Sequence, residues 1–280
     1  MNQLTEFINS YFLWKEAMLA GAITGAVCGF LGIYVVLRRI IFVSAALTQI
    51  SSLGVALAFY FEGMAAGVLL PIINPFFLSL GLTISAAYFF GVKKDYQRIS
   101  QEGIIGVGFL IASACVVIIG DKITKGAHDV ADIVFGAAVV VSIRELYVII
   151  AVALIVCFIH WKYFKDFIFV SFDSDMAGLF KYPVRVLNSI LLISIGLLIA
   201  VSTRAMGALP VFGLLALPSL SALLITEKLH YVFIVSVIIG LTSAVFGYFF
   251  SFIFDLPTGA TICLVASLIF ILSYVIKNIR

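Results

Sequence analysis

Nine apolar runs, at 14–37, 41–61, 65–91, 103–120, 143–160, 187–205, 207–226, 230–253 and 257–276, follow one another with short polar breaks between them. A bilayer core about 30 Å thick needs about 20 helical residues to cross it, so runs of this length leave few folds open. Segments in lipid must satisfy every backbone N–H and C=O internally, which selects helices or closed barrels. A barrel would show alternating segments of about ten residues; these runs do not alternate. Only 11% of the residues are charged and the mean hydropathy is +1.24, against about a quarter charged in soluble domains. The expectation is an all-α polytopic transmembrane bundle of eight or nine spans, forming one domain over residues 1–280.

Two stretches complicate the count. The third run holds Pro71, Asn74 and Pro75; proline removes an amide donor and clashes with the preceding turn. That run is therefore expected to break, with a helix resuming at 76–91. Residues 131–142 are apolar but too short to span and read as a buried half-helix. The N-terminus lacks a basic start and carries Glu6 and Glu16, so the first run reads as a retained helix rather than a cleaved signal peptide.

Positive charge orients the bundle. With nine alternating spans, twelve Lys and Arg residues fall on the side of Arg38 and Arg39, and five on the other. The Arg38–Arg39 turn is thus expected on the cytoplasmic side, with the N-terminus outside and the C-terminus inside. The longest cytoplasmic segment is then 161–186. Within it DSDMAGLF reads as a short helix that Asp173 or Ser174 can cap, stopped by Pro183. The segment reads first as a surface anchor, and the apolar Phe172 and Phe180 beside it raise the alternative of a docking element.

Polar residues inside the runs are few. Gly21, Gly25 and Gly29 repeat every four residues and mark a helix-packing seam. No P-loop, GxSxG or HExxH motif is present. The four cysteines, each inside an apolar run without a CxxC partner, read as small buried apolar residues. His160, beside Trp161 and Lys162, reads as interfacial, and Arg204 and Asp255 as anchors at outer span ends. His128 and Asp132 share a face at spacing four, with Asp129 beside them; this trio can bind a transition metal or simply cap a helix in an outer loop. In the second run Gln49 and Ser52 share a face with Thr48 beside them. An amide there lines a substrate path or bonds across helices. A secondary transporter would need titratable residues at mid-membrane, and the span centres hold almost none. A membrane enzyme would need a clustered nucleophile, base or metal site.

The segments GAVCGFLGIYVVLRRIIFVSAAL, EGIIGVGFL, DVADIVFG, SFDSDMAGLFKYPVRVLN, MGALPVFGLLALPSLSALLIT and FDLPTGATICLV occur in this order. From about residue 17 to 275 the chain resembles the membrane permease of bacterial metal-ion ABC transporters, the zinc and manganese uptake family. The LRR–F–AL turn, the SFD–A segment and DLPTG–T together carry the resemblance.

That resemblance implies a type II ABC importer-like permease of the bacterial cytoplasmic membrane, working as a homodimer. Two cytoplasmic ATPase subunits would hold ATP and magnesium, and an extracytoplasmic protein would deliver the metal. The permease itself would bind no cofactor or nucleic acid and do no hydrolysis. It also implies that residues 171–182 are the coupling segment touching the ATPase, through Ser171, Phe172, Asp173, Asp175 and Leu179. One departure concerns the cargo. After its paired arginines the family usually reads Phe-x-Gly-Asp-Ala-Leu-Ser-His, whereas this chain reads FVSAALTQ. Ala45 and Gln49 stand where the family places Asp and His. An alanine is no metal ligand and an amide oxygen a weak one. The ion can then pass with only weak contacts from Thr48, Gln49 and Ser52, or a replacement site can lie at His128, Asp129 and Asp132, or the substrate can be a metal chelate or other small solute.

Overall fold

A computed structural model describes residues 11–64, 74–92, 100–122 and 141–279. The described residues form eleven helices and no strand: α1 Tyr11–Leu37, α2 Ile41–Met64, α3 Pro75–Gly91, α4 Gln101–Lys122, α5 Ile143–Lys162, α6 Phe164–Phe172, α7 Ser174–Leu179, α8 Val184–Met206, α9 Ala208–Ile225, α10 Leu229–Phe254 and α11 Thr258–Ile279. Eight of them are long and apolar enough to cross a membrane. The ninth apolar helix, α3, has 17 residues, about 25 Å of rise, at the lower end of what spans.

The expected break in the third run falls before α3. Asn74 caps this helix, its side-chain oxygen accepting from the amide of Phe76 at 3.0 Å. Pro75 occupies the first turn, where a missing N–H costs nothing. Residues 65–73 and 131–140 lie outside the described residues.

Helix α1 lies at the centre, packed on α10, α9 and α5, while α2 sits among α4, α3, α8 and α9. The fully buried side chains of Leu31, Ile33 and Tyr34 meet a core that includes Leu191, Ile195, Leu198, Leu214 and Leu215. Lipid tails are as apolar as leucine, so burial of grease alone does not hold such helices together; close approach and polar contacts do. The α1–α10 crossing shows both. A Cβ on Gly25 would overlap the carbonyl of Gly240, and one on Gly29 the carbonyl of Ser236, whereas Gly21 leaves 3.5 Å to Met206 Cε. Where the backbones meet, Ser236 Oγ donates to Gly29 O at 2.7 Å and lies 3.2 Å from Ser219 Oγ of α9. Three helices thus share one buried polar knot.

Several single residues differ from their sequence reading. His160, read as interfacial from its neighbours, is 0% exposed and stacked on Phe167 with ring centroids 4.4 Å apart. Its neighbours Trp161 and Lys162 are exposed, so one residue of helical rotation separates the buried face from the boundary. Cys28 is buried as expected, but Cys157 is on the outside of the bundle. Arg204 does more than anchor a helix end. Its Nε sits 3.0 Å from Glu145 Oε1, tying the end of α8 to the start of α5.

Candidate functional site

Two features bear on function: the polar face of α2 and the segment around α7. They are joined through the turn that ends α1.

On α2 two of the four serine and threonine hydroxyls are quenched by their own helix. Ser44 Oγ donates to Ile41 O at 2.6 Å and Thr48 Oγ1 to Ala45 O at 2.8 Å. Such back-bonding lets a hydroxyl sit in apolar surroundings without a partner on another helix. Ser51 Oγ bridges to Ser79 Oγ of α3 at 2.9 Å, and a Cβ on the neighbouring Gly54 would overlap the backbone of Ser79. Here α2 and α3 touch through small residues. Two polar groups of this face remain unspent. Ser52 Oγ is buried with no hydrogen-bond partner. Gln49 is half-buried and hydrogen-bonds to none of the described residues. Thr48, Gln49 and Ser52 therefore differ: the first is locally satisfied, the other two have free hydrogen-bonding capacity. His128, Asp129 and Asp132 lie outside the described residues. Among the described residues, no three His, Cys, Asp or Glu side chains come close enough to share a metal ion.

At the end of the bundle marked by Arg38, the chain leaves α5, forms α6 and turns sharply at Asp173, whose backbone is extended at φ −147°. Asp173 caps α7, one carboxylate oxygen accepting from Met176 N at 2.8 Å and Asp175 N at 3.1 Å. Of the two capping residues the sequence allowed, Asp173 is the one used, and its extended backbone divides the segment into two helices. Ala177 packs inward. Leu179, 80% exposed, Phe180, 67%, and Phe172, 61%, form an apolar tip with the exposed carboxylate of Asp175 beside it. Of the five expected coupling residues, Ser171 points the other way: it is buried and donates to Phe167 O at 2.5 Å.

The turns on either side of this region share one design. Helix α1 ends with Arg39 in the left-handed region, φ 58°, Ile40 N bonding Val35 O and Arg39 N bonding Val36 O, both at 3.0 Å. Helix α7 ends with Lys181 at φ 62°, Tyr182 N bonding Ala177 O and Lys181 N bonding Gly178 O, both at 3.0 Å. Both are Schellman caps, which satisfy the last carbonyls and reverse the chain sharply. In the first, the cap turns Arg39 outward and Arg38 inward. Arg38 Nε donates to Ser171 Oγ at 2.8 Å, and its Nη1 donates to Asn188 Oδ1 of α8. Burial lowers the Arg38 pKa to about 10, so it remains a cation at neutral pH. No sequence signal marks this contact beyond an arginine pair whose second member is forced into a turn.

The ABC 3 transport family model matches residues 10–277. A manganese transport system membrane protein, MntC, of Halalkalibacterium halodurans is 27% identical over 98% of this chain and 91% of its own length. The chelated iron transport system membrane protein YfeD of Yersinia pestis is 26% identical over 100% and 92%. Among solved structures, PsaBC from Streptococcus pneumoniae in complex with Fab matches with a TM-score of 0.82 at 23% identity, covering 97% of this chain and 95% of that one; this likeness bears on the fold alone. With a family match that runs from before α1 into the last turn of α11, the chain belongs to the ABC 3 transport family, as a membrane permease subunit whose ATP hydrolysis resides in a separate ATPase subunit.

Proposed function

We propose that this chain is the permease of an ATP-driven importer of a divalent transition metal, zinc or manganese, in the bacterial cytoplasmic membrane. It works as a homodimer with two ATPase subunits that hold ATP and magnesium, and an extracytoplasmic binding protein delivers the metal. The N-terminus is outside and the C-terminus cytoplasmic, in line with the excess of Lys and Arg on the Arg38 side. The observation that supports a metal cargo is the run of relatives over nearly the whole chain that are named for manganese and iron transport; zinc rests on the family resemblance alone. The exposed apolar tip of α7 is the surface the ATPase seats on, through Phe172, Asp173, Asp175 and Leu179.

A second reading is favoured by one specific observation. With Ala45 and Gln49 on α2, this helix offers a metal an amide and hydroxyls rather than a carboxylate and an imidazole. Oxygen donors without charge hold a bare transition metal weakly, which suits either a loosely held ion or a chelated one. Uptake assays with manganese, zinc and a chelated iron, each in competition with the others, separate the two. Gln49→Ala is expected to lower uptake of the true cargo about three- to tenfold, the scale of one lost polar contact. Unchanged uptake of all three cargoes would remove Gln49 from the path.

A further inference from the structure

Arg38 holds both flanks of α7 at once. Ser171 lies two residues before the Asp173 cap, and Asn188 lies in the second turn of α8, just after the Pro183 that follows α7. The arginine reaches Ser171 through Nε and Asn188 through Nη1. A guanidinium is planar with its donors in a fixed fork, so two such bonds set direction as well as distance. On its other side, Arg38 is two residues from Ile40, where the turn opens directly into α2. A shift of the α7 flanks is therefore delivered to the start of the helix that carries Thr48, Gln49 and Ser52.

The grip is made of neutral acceptors. Among the described residues no carboxylate pairs with Arg38; the ion pairs are Lys15 with Glu16 and Arg204 with Glu145. It also has capacity in reserve. Arg38 Nη2, the Tyr34 hydroxyl one turn earlier, and His160 Nε2 are buried without hydrogen-bond partners. The His160 ring stacks on Phe167, one turn before Ser171 on α6. A movement of α6 can exchange one bond of this cluster for another without leaving it less satisfied than it is now, as an element with two arrangements requires.

We propose that Arg38 is a positioning residue for transport, transmitting motion of α7 to α2 so that ATP hydrolysis in the partner subunit is converted into movement of the polar face. This rests on α7 being the ATPase contact. The test uses the permease reconstituted with its ATPase and binding protein, and follows three readouts: ATPase recovered on purification, ATP hydrolysed, and manganese taken up per ATP. Arg38→Met and Asn188→Leu are expected to recover the ATPase and hydrolyse ATP, but to move about tenfold less manganese per ATP. Asn188→Gln keeps a neutral amide acceptor and should restore the ratio. Should Arg38→Met fail to assemble, the Asn188 pair decides. An unchanged ratio in assembled complexes would overturn the proposal. So would equal losses in Asn188→Leu and Asn188→Gln, or hydrolysis falling in step with uptake, which would assign Arg38 to assembly. If instead Leu179→Asp leaves ATPase recovery intact, the reading of α7 is what fails.

Discussion

At Gly25 the absence of a single methyl group lets two helices touch. Its Cβ would meet the Gly240 carbonyl, and the hydrogen-bonded knot of Ser219, Ser236 and Gly29 sits one turn away. Gly25→Ala is expected to destabilise the permease by about 1–3 kcal/mol, the usual cost of overpacking. Gly21→Ala, whose Cβ finds ordinary contact distances of 3.5 and 3.8 Å, should leave the melting midpoint in detergent nearly unchanged. Equal losses in the two variants would contradict the crossing described here. The glycine spacing was legible because it is local, three positions on one helix face. Its partners were not, since Gly240 and Ser236 lie more than 200 residues away and no periodicity encodes which helix comes alongside. The same limit explains Arg38, which stands beside a residue that belongs at a boundary and is turned inward by Ser171 and Asn188, partners far away in the chain. That α2 carries Ala45 and Gln49 one turn apart was legible for the opposite reason: it concerns side-chain identity at fixed helical spacing.

Among the elements, α7 is the one whose stability is most exposed to single changes. A helix of six residues has almost no internal hydrogen bonding to spare, so its caps decide whether it forms. Asp173→Ala removes the acceptor of two backbone amides and is expected to cost about 1 kcal/mol of local stability. Hydrogen exchange should then show faster opening across 174–179 with the transmembrane helices unaffected. At the other end Lys181 sits at a positive φ that glycine adopts without strain, so Lys181→Gly is expected to slow exchange in the same segment, by up to about 1 kcal/mol. No change in either variant would mean that contacts from α6 and α8, not the caps, hold α7. The capping chemistry of this segment was visible in DSDMAGLF followed by proline. The extended backbone at Asp173 goes with its capping role, whereas the helix that precedes it, Phe164–Phe172, was not visible, because its residues mix charges and aromatics without a start signal.

On the scale of the whole molecule, span lengths followed directly from hydrocarbon thickness, and the eight helices long enough to cross lie within or close to the apolar runs. What length could not convey is their order in space: a central α1, and one end where α1, α6 and α8 converge on Arg38. On the proposed reading, that convergence ties the two flanks of the ATPase-facing segment to the turn that opens into α2. A gradient-driven carrier would instead need ionisable groups at mid-membrane. The most direct test of this account is manganese accumulation in proteoliposomes holding the permease, its ATPase and its binding protein. The account predicts uptake that requires ATP inside, persists when proton and sodium gradients are collapsed, and is lost with the ATPase in Leu179→Asp. Accumulation without ATP that disappears when the gradients are collapsed would contradict it.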